Sequence, residues 1–68
     1  MTNRVREFRK ERGLTQQELA DAVGTTRQTV ISVETGKYKP SVELALKMAR
    51  ALTARVEDLF LLEADHEA

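Results

Sequence analysis

LTQQELADAVGTTRQTVISVETG, residues 14–36, holds two short amphipathic helix patterns on either side of a Gly24-Thr25-Thr26 turn. In the first, Thr15 with Glu18 three residues on matches a capping box, and Leu19, Ala20 and Val23 share one face before Gly24. In the second, Thr26 stands at the N-cap, Val30 and Val33 fill the inward positions, and short polar side chains occupy the opposite face before Gly36. One face that packs and one that is short and polar, reached through a tight turn, is the layout of a helix whose outer side reads a DNA groove.

Working outward, Val5, Phe8 and the alkyl stems of neighbouring arginines give a first helix from about Asn3 to Arg12, with Gly13 as its stop and Leu14 turned into the core. Lys37, Tyr38, Lys39 and Pro40 make a basic loop after the third helix. Ser41 then caps a fourth, with Val42, Ala45, Met48, Ala49 and Leu52 at helical spacing on one face. The closing Val56–Leu62 stretch is apolar enough to need a partner, and Glu63 to Ala68 reads as a frayed polar tail. The expected organisation is one domain over residues 1–62, ending in a dimerisation segment, with residues 63–68 as the tail.

The chain has 68 residues, and a domain of that size buries only ~60% of the surface its unfolded chain exposes. It contains no cysteine and no zinc-ligand cluster, so helix packing and dimerisation are the remaining routes to stability. The lack of cysteine fits a reducing cytoplasm. No stretch approaches the ~18 apolar residues of a membrane span, and the N-terminus reads as an amphipathic helix, not a signal peptide, so the expected location is cytoplasmic. Eleven basic and eleven acidic residues cancel overall. They are unevenly spread: residues 1–39 carry eight basic against five acidic, net +3, and residues 40–68 carry three against six, net −3. The basic half is the one that holds the two-helix motif.

Arg9, Gly13-Leu14-Thr15-Gln16, Glu18-Leu19-Ala20, Gly24, Arg27-Gln28-Thr29-Val30, Glu34, Gly36, Pro40-Ser41 and Asp58-Leu59-Phe60 follow at unbroken spacing. Over about Arg4 to Phe60 the chain resembles the helix-turn-helix transcriptional regulators of the Cro/cI-like (XRE) family, most closely the small single-domain type. The resemblance implies an all-α fold, a compact five-helix bundle of the lambda-repressor-like kind, with the third helix entering the major groove. Thr26, Arg27, Gln28, Ile31 and Ser32 then occupy the outward positions of the recognition helix. Arg27 can donate two hydrogen bonds to guanine, Gln28 can pair bidentately with adenine, and Thr26 or Ile31 can touch a thymine methyl. Gln16 matches a phosphate-contacting position at the start of the second helix, and Lys37, Tyr38 and Lys39 would hold neighbouring phosphates. Arg9 and Glu34 match a structural ion pair joining the first helix to the end of the third.

The chain departs from the family pattern at several places. Ile31 and Ser32 replace a more usual polar pair, and the expectation is that Ile31 faces outward, the alternative being that it packs inward. Thr25 stands where an apolar staple residue is usual, and Thr35 replaces a frequent Asn. Thr53-Ala54-Arg55 lacks the family's glycine stop, so Ala49, Leu52, Val56 and Leu59 could run on as one helix. The family pattern favours a break there and the local chemistry does not.

Phe60-Leu61-Leu62, with Leu59, Val42 and Leu46, is read as a surface covered by a two-fold mate, the alternative being that the segment folds back on its own core. A dimer would read a roughly palindromic site with half-sites about one DNA turn (~34 Å) apart. The functional expectation is therefore a homodimeric, sequence-specific repressor with double-stranded DNA as its partner. The other reading is a protein-interaction module, such as an antitoxin or adaptor, using the acidic half toward a protein such as a toxin. Enzymatic chemistry has little support. His66 sits in the polar tail, Ser32 and Ser41 have no His/Asp constellation, and Glu57-Asp58 suits the start of a helix better than acid–base work. An Asp65-His66-Glu67 metal site is less favoured than a solvated end, and neither metal nor cofactor is expected.

Overall fold

The structure is a computed structural model and describes residues 1–62. The tail and its His66 lie outside the described residues. Five helices form: α1 (Val5–Glu11), α2 (Gln16–Val23), α3 (Arg27–Glu34), α4 (Val42–Ala51) and α5 (Val56–Leu59). Two short strands flank them, β1 (Thr2–Asn3) and β2 (Phe60–Leu61), paired antiparallel with Thr2 opposite Leu61 and Asn3 opposite Phe60.

Three helix starts are set by local hydroxyl caps. Thr15 Oγ1 accepts from the Glu18 N–H at 3.0 Å while Glu18 Oε1 accepts from the Thr15 N–H at 2.8 Å, a complete capping box. Thr26 and Ser41 accept from the N–H of Thr29 and Leu44 in the same way. The apolar faces these caps launch meet in one core of Val5, Leu19, Ala20, Val23, Val30, Val33, Met48, Ala49, Leu52 and Leu59. α2 packs against both α3 and α4, so the two helices of the motif are held at a fixed mutual angle by shared buried side chains.

Four helices end in one pattern: a residue with positive φ donates its N–H three residues back, and the next residue donates five back. After α2, Gly24 (φ 75°) bonds the Asp21 carbonyl and Thr25 bonds that of Ala20, which reverses the chain in the two residues before the Thr26 cap. Gly13 and Gly36 do the same after α1 and α3. After α4 the position belongs to Thr53 (φ 53°), with Thr53 N–H on the Arg50 carbonyl at 3.2 Å and Ala54 N–H on that of Ala49 at 2.9 Å. A long-range tether adds to this stop. Arg12 Nε donates to the Leu52 carbonyl at 2.8 Å and its Nη2 to the Thr53 carbonyl at 3.2 Å, taking up acceptors that the helix end leaves open. The break at residues 53–55 is therefore present without a glycine.

Several expectations require correction. α1 begins at Val5, not Asn3, because Asn3 is in the sheet, where its Oδ1 accepts from the Val5 N–H at 3.1 Å and its Nδ2 donates to the Val33 carbonyl at 2.8 Å. Val42 is not on the core face of α4 but is 77% exposed, and Leu44 packs against the core in its place. Leu59, expected at a dimer surface, is wholly buried in the protomer's own core. Phe60 also packs on that core, and Phe60 and Leu61 are half-buried in the strand pair. The fold-back of this segment follows from the Arg4 N–H bonding the Leu59 carbonyl at 2.8 Å, which brings the two ends of the domain together.

Candidate nucleic-acid interface

α3 begins with Thr26, whose Oγ1 accepts from the Thr29 N–H at 3.2 Å and shares a hydrogen bond with the Thr29 hydroxyl at 3.0 Å. Its hydroxyl is thus engaged within the first turn, and the methyl is what remains for an outside contact. Arg27 and Gln28 follow, both exposed. Gln28 Nε2 lies 3.5 Å from Ser32 Oγ one turn later, which links two of the outward positions along one edge. Ile31 and Ser32 are half-buried, so Ile31 is neither fully outside nor part of the buried core.

The basic loop is bound to the end of the same helix. The N–H groups of Lys37 and Tyr38 both donate to the Ser32 carbonyl, at 2.9 and 3.2 Å, and Lys37, Tyr38 and Lys39 are exposed. Tyr38 closes one side of a shallow groove lined also by Thr25, Gln28, Thr29, Ser32 and Leu44. Thr29 and Leu44 are on this groove although neither figured among the expected site residues. Leu44 reaches it from α4, a juxtaposition that periodicity within one helix does not disclose.

A second cleft opens at the start of α2, lined by Arg6, Arg9, Thr15, Gln16, Glu34 and Thr35. At its floor Arg9, 8% exposed, meets Glu34 with Nε 2.7 Å from Oε2 and Nη2 3.4 Å from Oε1, and Arg9 Nη1 donates to the Leu14 carbonyl at 2.8 Å. The expected ion pair between α1 and the end of α3 is thus in place. Gln16 joins it, with Nε2 donating to Glu34 Oε1 at 3.2 Å. The Thr35 hydroxyl is turned back on the Ile31 and Ser32 carbonyls, at 2.9 and 3.3 Å. Arg6 is exposed at this cleft and did not figure among the expected site residues. The available signal was its position one helical step before Arg9 on the same side of α1.

Of the residues expected at a dimer surface, Val42, Leu46 and Leu62 are exposed, at 77%, 55% and 84%. Beyond α4, Arg55 Nε and Nη2 bond the two carboxylate oxygens of Asp58 at 3.3 and 3.4 Å across the first turn of α5. The hydrogen bond from Arg55 holds the Asp58 carboxyl below the usual aspartate range, and the guanidinium charge adds to it. Among the described residues no buried side-chain nitrogen or oxygen lacks a partner. Among the same residues no helix is long and apolar enough to cross a membrane.

The Helix-turn-helix family model HTH_3 matches residues 5–59. An uncharacterized HTH-type transcriptional regulator of Methanothermobacter thermautotrophicus is 54% identical over 66 residues, covering 96% of both chains. The cryptic phage CTXphi transcriptional repressor RstR of Vibrio cholerae is 29% identical over 58 residues, 85% of this chain and 52% of that protein. Among solved structures, the restriction-modification controller protein C.AhdI from Aeromonas hydrophila superposes with a TM-score of 0.77 at 39% identity, covering 82% of this chain and 85% of that one. The clp gene regulator ClgR from Corynebacterium glutamicum gives 0.76 at 35% identity over 79% of this chain, which spans 57% of that one.

Proposed function

The chain belongs to this family of helix-turn-helix transcriptional regulators, and we propose that it is a homodimeric, sequence-specific repressor that reads a palindromic operator with α3. The observation that carries this reading is the construction of α3. Arg27 and Gln28 are exposed at its first turn, and the basic Lys37–Lys39 loop is hydrogen-bonded to its last turn through the Ser32 carbonyl. Base-reading groups and phosphate-holding groups therefore move as one rigid unit. Arg27 and Gln28 make the principal base contacts, the Thr26 methyl and Ile31 supply apolar contact, and Ser32 stands beside Gln28. Gln16, Lys37, Tyr38 and Lys39 hold phosphates on either side.

Dimerisation is assigned to the apolar groups left outside the core, Val42, Leu46 and Leu62, with the half-buried strand residue Leu61 next to Leu62 in sequence. Repression follows from occupation of the operator, and the similarity to a phage repressor supports it. The test is retention of a randomised duplex library by the purified protein at two salt concentrations, with sequencing of the retained pool. Enrichment of a palindrome with half-sites about one turn (~34 Å) apart is expected. Retention without enrichment, fading steeply with salt, would mean that only phosphates are held and would overturn the sequence-reading claim.

A further inference from the structure

A glutamine that binds phosphate must present its amide nitrogen, because Nε2 donates and Oε1 can only accept, and phosphate oxygens only accept. The two ends of a carboxamide have nearly the same shape, so packing alone does not select between them. Glu34 does. Its Oε1 lies 3.2 Å from Gln16 Nε2, and the reversed amide would set two acceptor oxygens face to face with no proton between them. The Glu34 side chain is only 4% exposed, so this preference is not diluted by competing water.

The carboxylate itself is fixed by two bonds from Arg9, Nε to Oε2 and Nη2 to the Oε1 that Gln16 also uses, and Arg9 is fixed in turn by the Leu14 carbonyl. Arg9 also balances the charge. An unpaired carboxylate at this cleft would repel a phosphate, whereas the ion pair orients Gln16 without that penalty. Nε2 carries two N–H groups, and with one on Glu34 the other is left for an acceptor beside exposed Arg6 and the start of α2. A Gln16 side chain held on Glu34 in this way loses rotamer freedom on folding and not again on binding.

We infer that Glu34 is a positioning residue for DNA binding, holding the Gln16 carboxamide with its nitrogen toward the phosphate, in addition to closing the ion pair with Arg9. The inference rests on the phosphate-contact reading of Gln16 given above. It is tested by a double-mutant cycle of Gln16→Ala and Glu34→Gln, read as affinity for the duplex pool retained by the wild-type chain, with each variant checked for folding by circular dichroism. The glutamine at 34 keeps the shape but can offer either end to Gln16. Gln16→Ala is expected to weaken binding roughly ten-fold, the scale of a hydrogen bond to a charged group. Glu34→Gln should weaken it about three- to ten-fold alone and cause no further loss in the Gln16→Ala background.

Losses that multiply in the double variant would mean that Glu34 acts through stability alone, overturning the inference while leaving the Gln16 contact standing. Binding unaffected by Gln16→Ala would remove that contact and the inference together, with DNA recognition by α3 intact. Failure of the wild-type chain to retain any duplex would overturn all three. Should Glu34→Gln not fold, the wild-type protein still decides the matter by ¹⁵N relaxation of its side-chain amides. The Gln16 carboxamide should be as ordered as the backbone before DNA is added, and mobility equal to that of exposed Gln28 would overturn the proposal.

Discussion

Thr53→Gly should make the protein more stable, although it deletes a side chain and touches no part of the core. Thr53 holds φ at 53°, where an L residue pays about 1–2 kcal/mol and a β-branched one is a marked outlier. Every hydrogen bond at this turn is made by backbone atoms of residues 48–54 or by Arg12 to backbone carbonyls, so all survive the substitution. Thr53 is exposed, and no packing is lost. Against the relief stands the larger unfolded-state freedom of glycine, about 0.5–1 kcal/mol. The net gain is about 1 kcal/mol, which in a domain of this size raises Tm by about 4–8 °C. Thermal and urea unfolding followed by circular dichroism, at one protein concentration so that association does not confound the comparison, measures it. Thr53→Ala is the control. It keeps the Cβ that makes this region costly and should recover less than half of the gain. An unchanged or lower Tm for Thr53→Gly, or an equal gain for Thr53→Ala, would refute the claim that backbone strain is stored at this stop.

Glu34→Ala should cost about 3 kcal/mol by stranding the nine-tenths buried Arg9 guanidinium, whereas Glu18→Ala removes only the exposed half of a capping box, at about 0.5–1 kcal/mol; equal losses in urea unfolding would sink the distinction. Arg12→Ala uncaps the Leu52 and Thr53 carbonyls and should cost about 1 kcal/mol, with faster hydrogen exchange of the Ala54 amide as the local sign. Arg27→Ala should weaken binding to the enriched site far more than to unrelated duplex, while Lys37→Ala should weaken both alike and lower the salt slope by about one; identical behaviour would dissolve the division between base and phosphate contacts. The Asp58 carboxyl, held low by Arg55, contributes to folding above the usual aspartate range, and that contribution fades as pH falls through the depressed value. A ¹³C titration should place Asp58 lower in the wild type than in Arg55→Ala, and coincident curves would show that the pair does not form in solution.

The ends of α1, α2 and α3 and the starts of α2, α3 and α4 could be read from residues alone, because each cap and stop is an interaction spanning three to five residues. Thr15 with Glu18, Thr26 with Thr29 and Ser41 with Leu44 find their partners whatever the rest of the chain does. The inward faces of α2 and α3 were legible for the same reason, since a 3.6-residue repeat is a property of one helix. The stop at Thr53 was not. Local chemistry permits one long helix there, and the break is secured by Arg12, forty residues upstream of Leu52, and by the need to bury both Leu52 and Leu59 in one core. Family resemblance paired Arg9 with Glu34, but only the folded chain shows Gln16 on the same carboxylate.

The same division governs the surface. Sequence identified Val42, Leu46 and the run from Leu59 to Leu62 as surplus apolar material, and tertiary structure sorted it, sending Leu59 inward and Phe60 and Leu61 into a strand with the chain's own N-terminus while leaving Val42, Leu46 and Leu62 outside. A residue's type and spacing set what it will seek, a cap, a core or a partner. Where several groups compete for one core or one carboxylate, the outcome depends on distances across the fold, and these exist only once the helices have packed.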